Sequence, residues 1–450
     1  MSRSIDNTVE YSAEQHAQRE ELSRLLALAA RLEQSLMCQY LFAAYSFKRT
    51  HDEGGVTYRQ LEMMRRWQSR LLPVARQEME HLGLVMNLGT AIGDLPEFAL
   101  PSFPFTDQFE DIVLEHRLEP FTIETLTRFV EYEMPEELDE SNEDYRFLQQ
   151  RIPGFNPNGY DAIARLYQRI HDIIETLPES LLFIGPPDAQ ISTHDVFPGA
   201  IVGLDISRHP AYGLMMHKIT DKKSALAVVE QIAAEGEGAK HKGGKTGDGK
   251  DSHFATMMDI LREFVQARDD DPNFTPSRPV VSNPTLSDTP ADGTTRIEDE
   301  FSRDALALFE ASYTTLLKAL SRFFSFPQHD PQEMAALQQA AFYPMMTTII
   351  RPLCEMLTLL PADGTGGQTA GASFHTQDAV PLAPHKWSVY RTLDRHYGEM
   401  ELLASKLINA LDTRSDLPPQ LHERMQLLSE QISRSRMILG EDYKKADREI

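Results

Sequence analysis

"ARQEMEHLGLVMNLGTAIG" occupies Ala75 to Gly93, and its reading decides the fold. It is the second half of a helical pattern from about Tyr58 to Ile92. Leu61, Met64, Trp67, Leu71, Val74, Leu82 and Val85 recur on one stripe. Gly93 followed by Pro96 is a stop signal. Glu78 lies four residues after Val74 and His81 three after Glu78, so both join the apolar stripe. Glu80 projects elsewhere and is expected in solvent. A carboxylate on a buried face is costly unless it is neutralised, paired or bound to a metal.

The preceding pattern, about Glu14 to Lys48, carries Leu22, Leu25, Leu26, Ala29, Leu32, Leu36 and Tyr40 at helical spacing. Glu33 falls on that stripe, four after Ala29 and three before Leu36. Residues i and i+3 share a helical face, so Glu78 and His81 can reach one ion. A Glu-x-x-His pair alone occurs by chance on many helices. Its place on the stripe, with Glu33 on the neighbouring stripe, makes it a candidate metal site. Mixed carboxylate and imidazole donors suit iron or manganese, with zinc still open. In ferritin-like dimetal proteins two helices each give a Glu and two others each give Glu-x-x-His.

The rest of the chain reads as helix. Shorter patterns start near Thr122, ending at Pro135, and cover about 160–177, 221–234 and 253–267. Further helices are expected at about 300–325, 331–360, 385–412 and 418–446. "LPEFALPSFPF" reads as an extended crossing segment, and no strand pattern stands out. Residues 268–295, rich in Pro and Asp, read as an exposed linker. The expected class is all-α: a ferritin-like bundle over 1–267, the linker, and a C-terminal helical region over 296–450.

Composition narrows the function. The 450 residues are 41% hydrophobic and 8% aromatic, enough for a sizeable core. A net charge of -24 argues against binding phosphate backbones or anionic membranes. Two distant cysteines, Cys38 and Cys354, make no disulfide framework. The polar N-terminus lacks a signal peptide's apolar region, and no run is long enough to span a bilayer, so a cytoplasmic protein is expected. "GAKHKGGKTGDGK" has Gly244 where a phosphate loop needs lysine, and it follows a helix. It reads as a flexible loop whose Lys240, Lys242 and Lys245 could close over an acidic substrate. His194, His209 and His217 read as surface residues. Tyr40 and Tyr45 read as core, although a tyrosine beside a metal could donate a proton or hydrogen bond.

"LEQSLMCQYLFAAYSFK" followed by the opening stretch resembles the ferritin-like family that includes the iminophenyl-pyruvate dimer synthases of bisindole pigment pathways. The family's helix-one Glu, Tyr-Leu-x-Ala-x-Tyr-Ser stretch, Glu-x-x-His and Ala-Ile-Gly end match Glu33, Tyr40 to Ser46, Glu78 with His81, and Asn87 to Gly93. "PFTIETLTRFVEYEMPEE", "LFIGPPDAQ", "EGEG…DSHFATMMDI", "AFYPMMTTIIRPLCEMLTLLP" and "GQTAGASFH" are similar to later family segments, so the resemblance covers most of the chain. It places Glu133 and Glu136 at family glutamates, and Glu237 and His253 at later matching positions. The stripes of their own segments partly support Glu133, Glu237 and His253. The chain departs from the family at Gln34 and "SLMCQ", which are expected to alter the wall beside the metal. It also reads Ala234 to Gly238 where the family tends to Glu-Gln-Gly-Glu-Gly, which favours Glu237 over Glu235.

The resemblance implies a shell of Glu33, Glu78, His81, Glu133, Glu237 and His253 around one or two iron ions, alternatively manganese. The activity it implies is oxidation or oxidative imine coupling of a small amino-acid-derived or aryl metabolite in natural-product biosynthesis. Dioxygen or a peroxide would be the co-substrate, and the protein a homo-oligomer. The rival readings are an iron-handling or catalase-like protein, and a non-catalytic helical scaffold.

Overall fold

The computed structural model describes residues 11–94, 97–98, 100–135, 138–155, 162–196, 215–237, 251–325, 330–339, 344–376 and 385–446. The lysines of the glycine loop, His209 and Glu136 lie outside these residues, as do the side chains of His194 and Glu237.

Helix α1 (Ala13–Tyr45) begins at a capping box, in which Ser12 and Gln15 satisfy each other's backbone N–H groups. Thr57 and Gln60 do the same for α2 (Tyr58–Ala91), and Gly93 follows its end at φ +87°. Next comes an antiparallel hairpin, β1 (Phe105–Phe109) and β2 (Ile112–His116), then α3 (Ile123–Tyr132), α4 (Glu143–Arg151) and α5 (Ala162–Thr176). Two single turns, α6 (Glu179–Leu182) and α7 (Thr193–Val196), precede α8 (Lys222–Glu237) and α9 (His253–Asp270). Helix α1 packs on α2 and α5, and α8 packs on α5 and α2, which makes a four-helix arrangement. Helix α9 packs on α2, α3 and α8.

The C-terminal region follows a two-residue parallel pair, β3 (Pro284–Thr285) and β4 (Thr295–Arg296). Helix α10 (Glu300–Ser325) packs on α13 (Lys386–Leu411), which packs on α14 (Gln420–Ala446). Between α10 and α13 lie α11 (Pro331–Leu337), a π-helical turn at Met345–Ile350 and α12 (Arg351–Leu357). One helix was expected over 331–360; Pro344 and Pro352 each lack a backbone donor, and the chain between them takes the wider turn. Helix α10 touches α2, and α12 touches α1, so one buried apolar cluster runs from Leu22 to Leu439.

The class is all-α with two small sheets, and the strands correct the expectation of none. Phe105 to His116 alternate between the core and solvent. The reading of 268–295 as exposed also fails along part of its length. Phe274, Arg278, Val280, Val281 and Asn283 are buried, and backbone hydrogen bonds tie this stretch to Ser46, Gly55, Leu118 and Thr369. No helix among the described residues is long and apolar enough to cross a membrane.

Candidate metal centre

Glu33 on α1 and Glu78 and His81 on α2 meet in the four-helix core, as their stripes require, and all three are buried. Helix α3 ends at Glu133, which caps it, and α9 begins with His253 after the N-cap Ser252. Both are buried beside the first three. The result is two donor triads that share Glu78: Glu33–Glu78–His81 and Glu78–Glu133–His253. Within each triad the candidate donor atoms lie within 4.8 Å of one another.

The distances give each imidazole a defined orientation. His81 Nδ1 is 3.1 Å from Glu78 Oε2 and 3.5 Å from Glu33 Oε2. Its Nε2 is 2.9 Å from Glu235 Oε2. His253 Nδ1 is 3.0 Å from Glu78 Oε1 and 3.6 Å from Glu133 Oε2, while its Nε2 is 3.3 Å from Gln77 Oε1. The two rings stack at 5.5 Å. Tyr40 donates to Glu133 Oε1 at 2.6 Å, and Tyr167 on α5 donates to Glu33 Oε1. Burial, with the nearby carboxylates, holds both phenols above their usual range, so they stay protonated donors.

The donor set is short of positive charge. Glu33, Glu78, Glu133 and Glu235 face two imidazoles. Among the described residues no Lys or Arg forms an ion pair with Glu33, Glu78 or Glu133. Protons make up part of the deficit. Burial raises the Glu33 carboxyl to about 8, against the pull of His81 and with the repulsion of Glu78. Burial would raise Glu78 as well, but His253 and His81 outweigh it and hold it well below the usual carboxylate range. Burial opposes charge on the imidazoles, yet Glu235, Glu33 and Glu78 carry His81 well above its usual range. Glu78 and Glu133 push His253 up to about 10. Glu78 Oε1 and His253 Nδ1 remain without a well-formed hydrogen bond although both are fully buried. Carboxylate and imidazole donors converging with this shortage fit divalent iron or manganese.

The structure differs from the sequence reading at Glu80. Glu80, expected in solvent, is buried: Gln231 of α8 donates to it at 3.1 Å, and burial, then the charge of Glu235, pushes its carboxyl to about 7. From α8 it is Glu235 that reaches His81, whereas the sequence favoured Glu237, whose side chain is not described. Leu36, within the segment expected to alter the wall, does line the cavity beside the acids, whereas Gln34 and Cys38 do not. They meet Tyr313 of α10, at 3.1 and 3.5 Å. The wall that α1 provides is Glu33 and Leu36. Tyr167 was missed, because a tyrosine in an apolar stripe reads as core. His217 is exposed, as expected.

The cavity beside the acids has a volume of ≈ 20 Å³ and is also lined by Tyr132, Ile163, Ile232 and Gly236. That is room for about one water-sized molecule. A Cβ on Gly236 would stand 3.0 Å from Glu133 Oε2, so the missing side chain leaves that carboxylate its place.

The sequence model of the family described as Ferritin-like matches residues 26–262. Over 432 residues the chain is 27% identical to the dichlorochromopyrrolate synthase of Lentzea aerocolonigenes, covering 88% of this chain and 41% of that protein. Over 369 residues it is 29% identical to the 2-imino-3-(indol-3-yl)propanoate dimerase of Chromobacterium violaceum, covering 78% of this chain and 33% of that protein. The chain thus spans between a third and about two fifths of the length of these curated relatives. A solved ferritin like protein from Caulobacter vibrioides is 18% identical with a TM-score of 0.45, over 81% of this chain and 99% of that one.

Proposed function

The chain belongs to the ferritin-like family, and from that premise we propose that it is a metal-dependent oxidoreductase with a dinuclear centre of iron or, alternatively, manganese. The observation that carries the reading is the pair of buried triads sharing Glu78. Glu33 and His81 would hold one ion, Glu133 and His253 the other, and Glu78 both. Such a centre, when bound, supplies one-electron oxidising power toward a small metabolite. Tyr40 and Tyr167 fix the carboxylates by hydrogen bonds to the oxygens they donate to. The apolar walls from Leu36, Ile163 and Ile232 keep bulk water from the acids.

The relatives' names speak of a synthase of dichlorochromopyrrolate and a dimerase of an indolyl imine. These names support oxidative coupling of an amino-acid-derived imine as the activity of this chain. A cavity with room for about one water-sized molecule keeps an aryl group outside the acids, and dioxygen or a peroxide is proposed as the small co-substrate. Homo-oligomeric assembly, a cytoplasmic location and the division into 1–267, 268–295 and 296–450 belong to the same proposal.

The test is metal content per chain by elemental mass spectrometry, in wild type and Glu78→Ala, purified without oxygen or chelator. Near-stoichiometric iron or manganese, lost in the variant, supports the reading and directs a screen of imine and aryl substrates with dioxygen. Metal-free wild type with unchanged melting after chelation favours a scaffold instead. Iron loading far above the capacity of two triads favours iron handling.

A further inference from the structure

The two triads differ in what stands behind each imidazole. Behind His81 it is a carboxylate, Glu235. Behind His253 it is a neutral amide oxygen, that of Gln77. Both contacts are made by Nε2, the ring nitrogen facing away from the shared acid Glu78. When an ion binds, Nδ1, on the side of Glu78, is the nitrogen that faces it, and the ring hydrogen then stays on Nε2, toward Glu235 or Gln77.

We infer that Glu235 is not a ligand but the residue that positions His81, and that the two metal positions are therefore unequal: the Glu33–Glu78–His81 position fills first. This rests on the dinuclear reading. A carboxylate that accepts from a ligating imidazole fixes its tautomer and makes it a stronger donor. An amide fixes the tautomer without adding charge. Glu235 also brings a negative charge close to the first position, which attracts a divalent ion. Gln231, one turn earlier on α8, donates to Glu235 at 3.4 Å and to Glu80, tying the acid to both helices. At the second position the backbone works the other way. His253 is the first residue of the 18-residue α9, and a helix N-terminus carries partial positive charge that disfavours a nearby cation.

The experiment is a titration of the metal-stripped 450-residue chain with Mn²⁺ alone, followed by calorimetry and by the count of free Mn²⁺ in electron paramagnetic resonance. Wild type, Glu235→Gln and Gln77→Glu are compared. Wild type is expected to bind in two separable steps. Glu235→Gln should weaken the first step by about 10–100-fold, with both ions still bound at saturation. Gln77→Glu should tighten the second step and bring the two together. Loss of one whole ion at saturation in Glu235→Gln would make Glu235 a ligand and overturn the inference. So would equal weakening of both steps, or isotherms unchanged in both variants. Wild type that binds no Mn²⁺ and no Fe²⁺ overturns the dinuclear reading itself. Two ions in wild type with indifferent variants overturns the ranking alone. Circular dichroism of the metal-free variants checks folding, and if Glu235→Gln melts early, Gln77→Glu carries the test.

Discussion

Glu78 is the residue on which both triads depend, and stoichiometry can expose that. Glu33→Ala leaves Glu78, Glu133 and His253 intact, and Glu133→Ala leaves Glu33, Glu78 and His81 intact. Each is expected to lose one ion and keep one, whereas Glu78→Ala loses both. Elemental analysis of the three variants decides it, and equal losses in all three would contradict a shared carboxylate. The protons held by the metal-free site set a second expectation. Glu33 is raised to about 8, chiefly by burial, and the facing carboxylates hold His81 protonated against burial. At neutral pH an incoming ion must displace these protons, so binding releases protons and weakens as pH falls. Calorimetry in buffers of different ionisation enthalpy measures the release. Affinity should drop steadily from about pH 8 to about pH 6, and a pH-independent isotherm would show that the ion displaces no protons.

Elements explain both what was legible in the sequence and what was not. Glu33, Glu78 and His81 were legible because two long helices bury one stripe each, and spacing alone puts a residue on or off it. Glu133 and His253 needed the order of segments as well, since each sits at a helix end where a stripe is short. Glu80 was misread because α2 is covered on more than one side: Gln231 and the Met215–Ile219 stretch close over a face that a two-partner helix would leave wet. The hairpin was missed because its turn, Glu110–Asp111, has no Gly or Asn, although Glu110 takes φ +53°. Its alternation was in the sequence; its turn signal was not. At the end of α2 a glycine has a clear structural task. Gly185 donates its N–H to Ala91 O, and a Cβ there would overlap the Thr90 carbonyl. Because that neighbour is backbone rather than a flexible side chain, Gly185→Ala is expected to cost about 3 kcal/mol. Chemical denaturation measures it, and unchanged stability would mean that the loop shifts freely off α2.

At the scale of the whole molecule, the stretch taken for a linker is a strap. Its Arg278 donates its backbone N–H to Ser46 O at the end of α1. The guanidinium reaches Glu53 through Nε at 2.5 Å and Nη2 at 3.1 Å, and Thr358 Oγ1 through Nη1 at 2.9 Å. One buried side chain thus joins the α1–α2 connection to the end of α12. The Pro- and Asp-rich composition that suggested an exposed linker says nothing of such long-range contacts. Arg278→Met keeps much of the stem's apolar contact but leaves Glu53 without its cation. It should cost about 2–3 kcal/mol at neutral pH, below the usual figure for a buried pair because Glu53 is partly exposed. The sign with pH follows from Glu53. Burial would raise its carboxyl, but Arg278 and the Arg49 and Thr50 N–H groups outweigh burial and hold it below the usual range. A depressed folded-state pKa gives stability that is present above the unfolded value of about 4.3 and lost as pH falls through the folded one. The gap in melting temperature between wild type and Arg278→Met should therefore be full near neutrality and narrow below about pH 4. A gap that stays constant into acid would show that Arg278 holds the strap by packing and by Thr358, with no contribution from its pairing with Glu53.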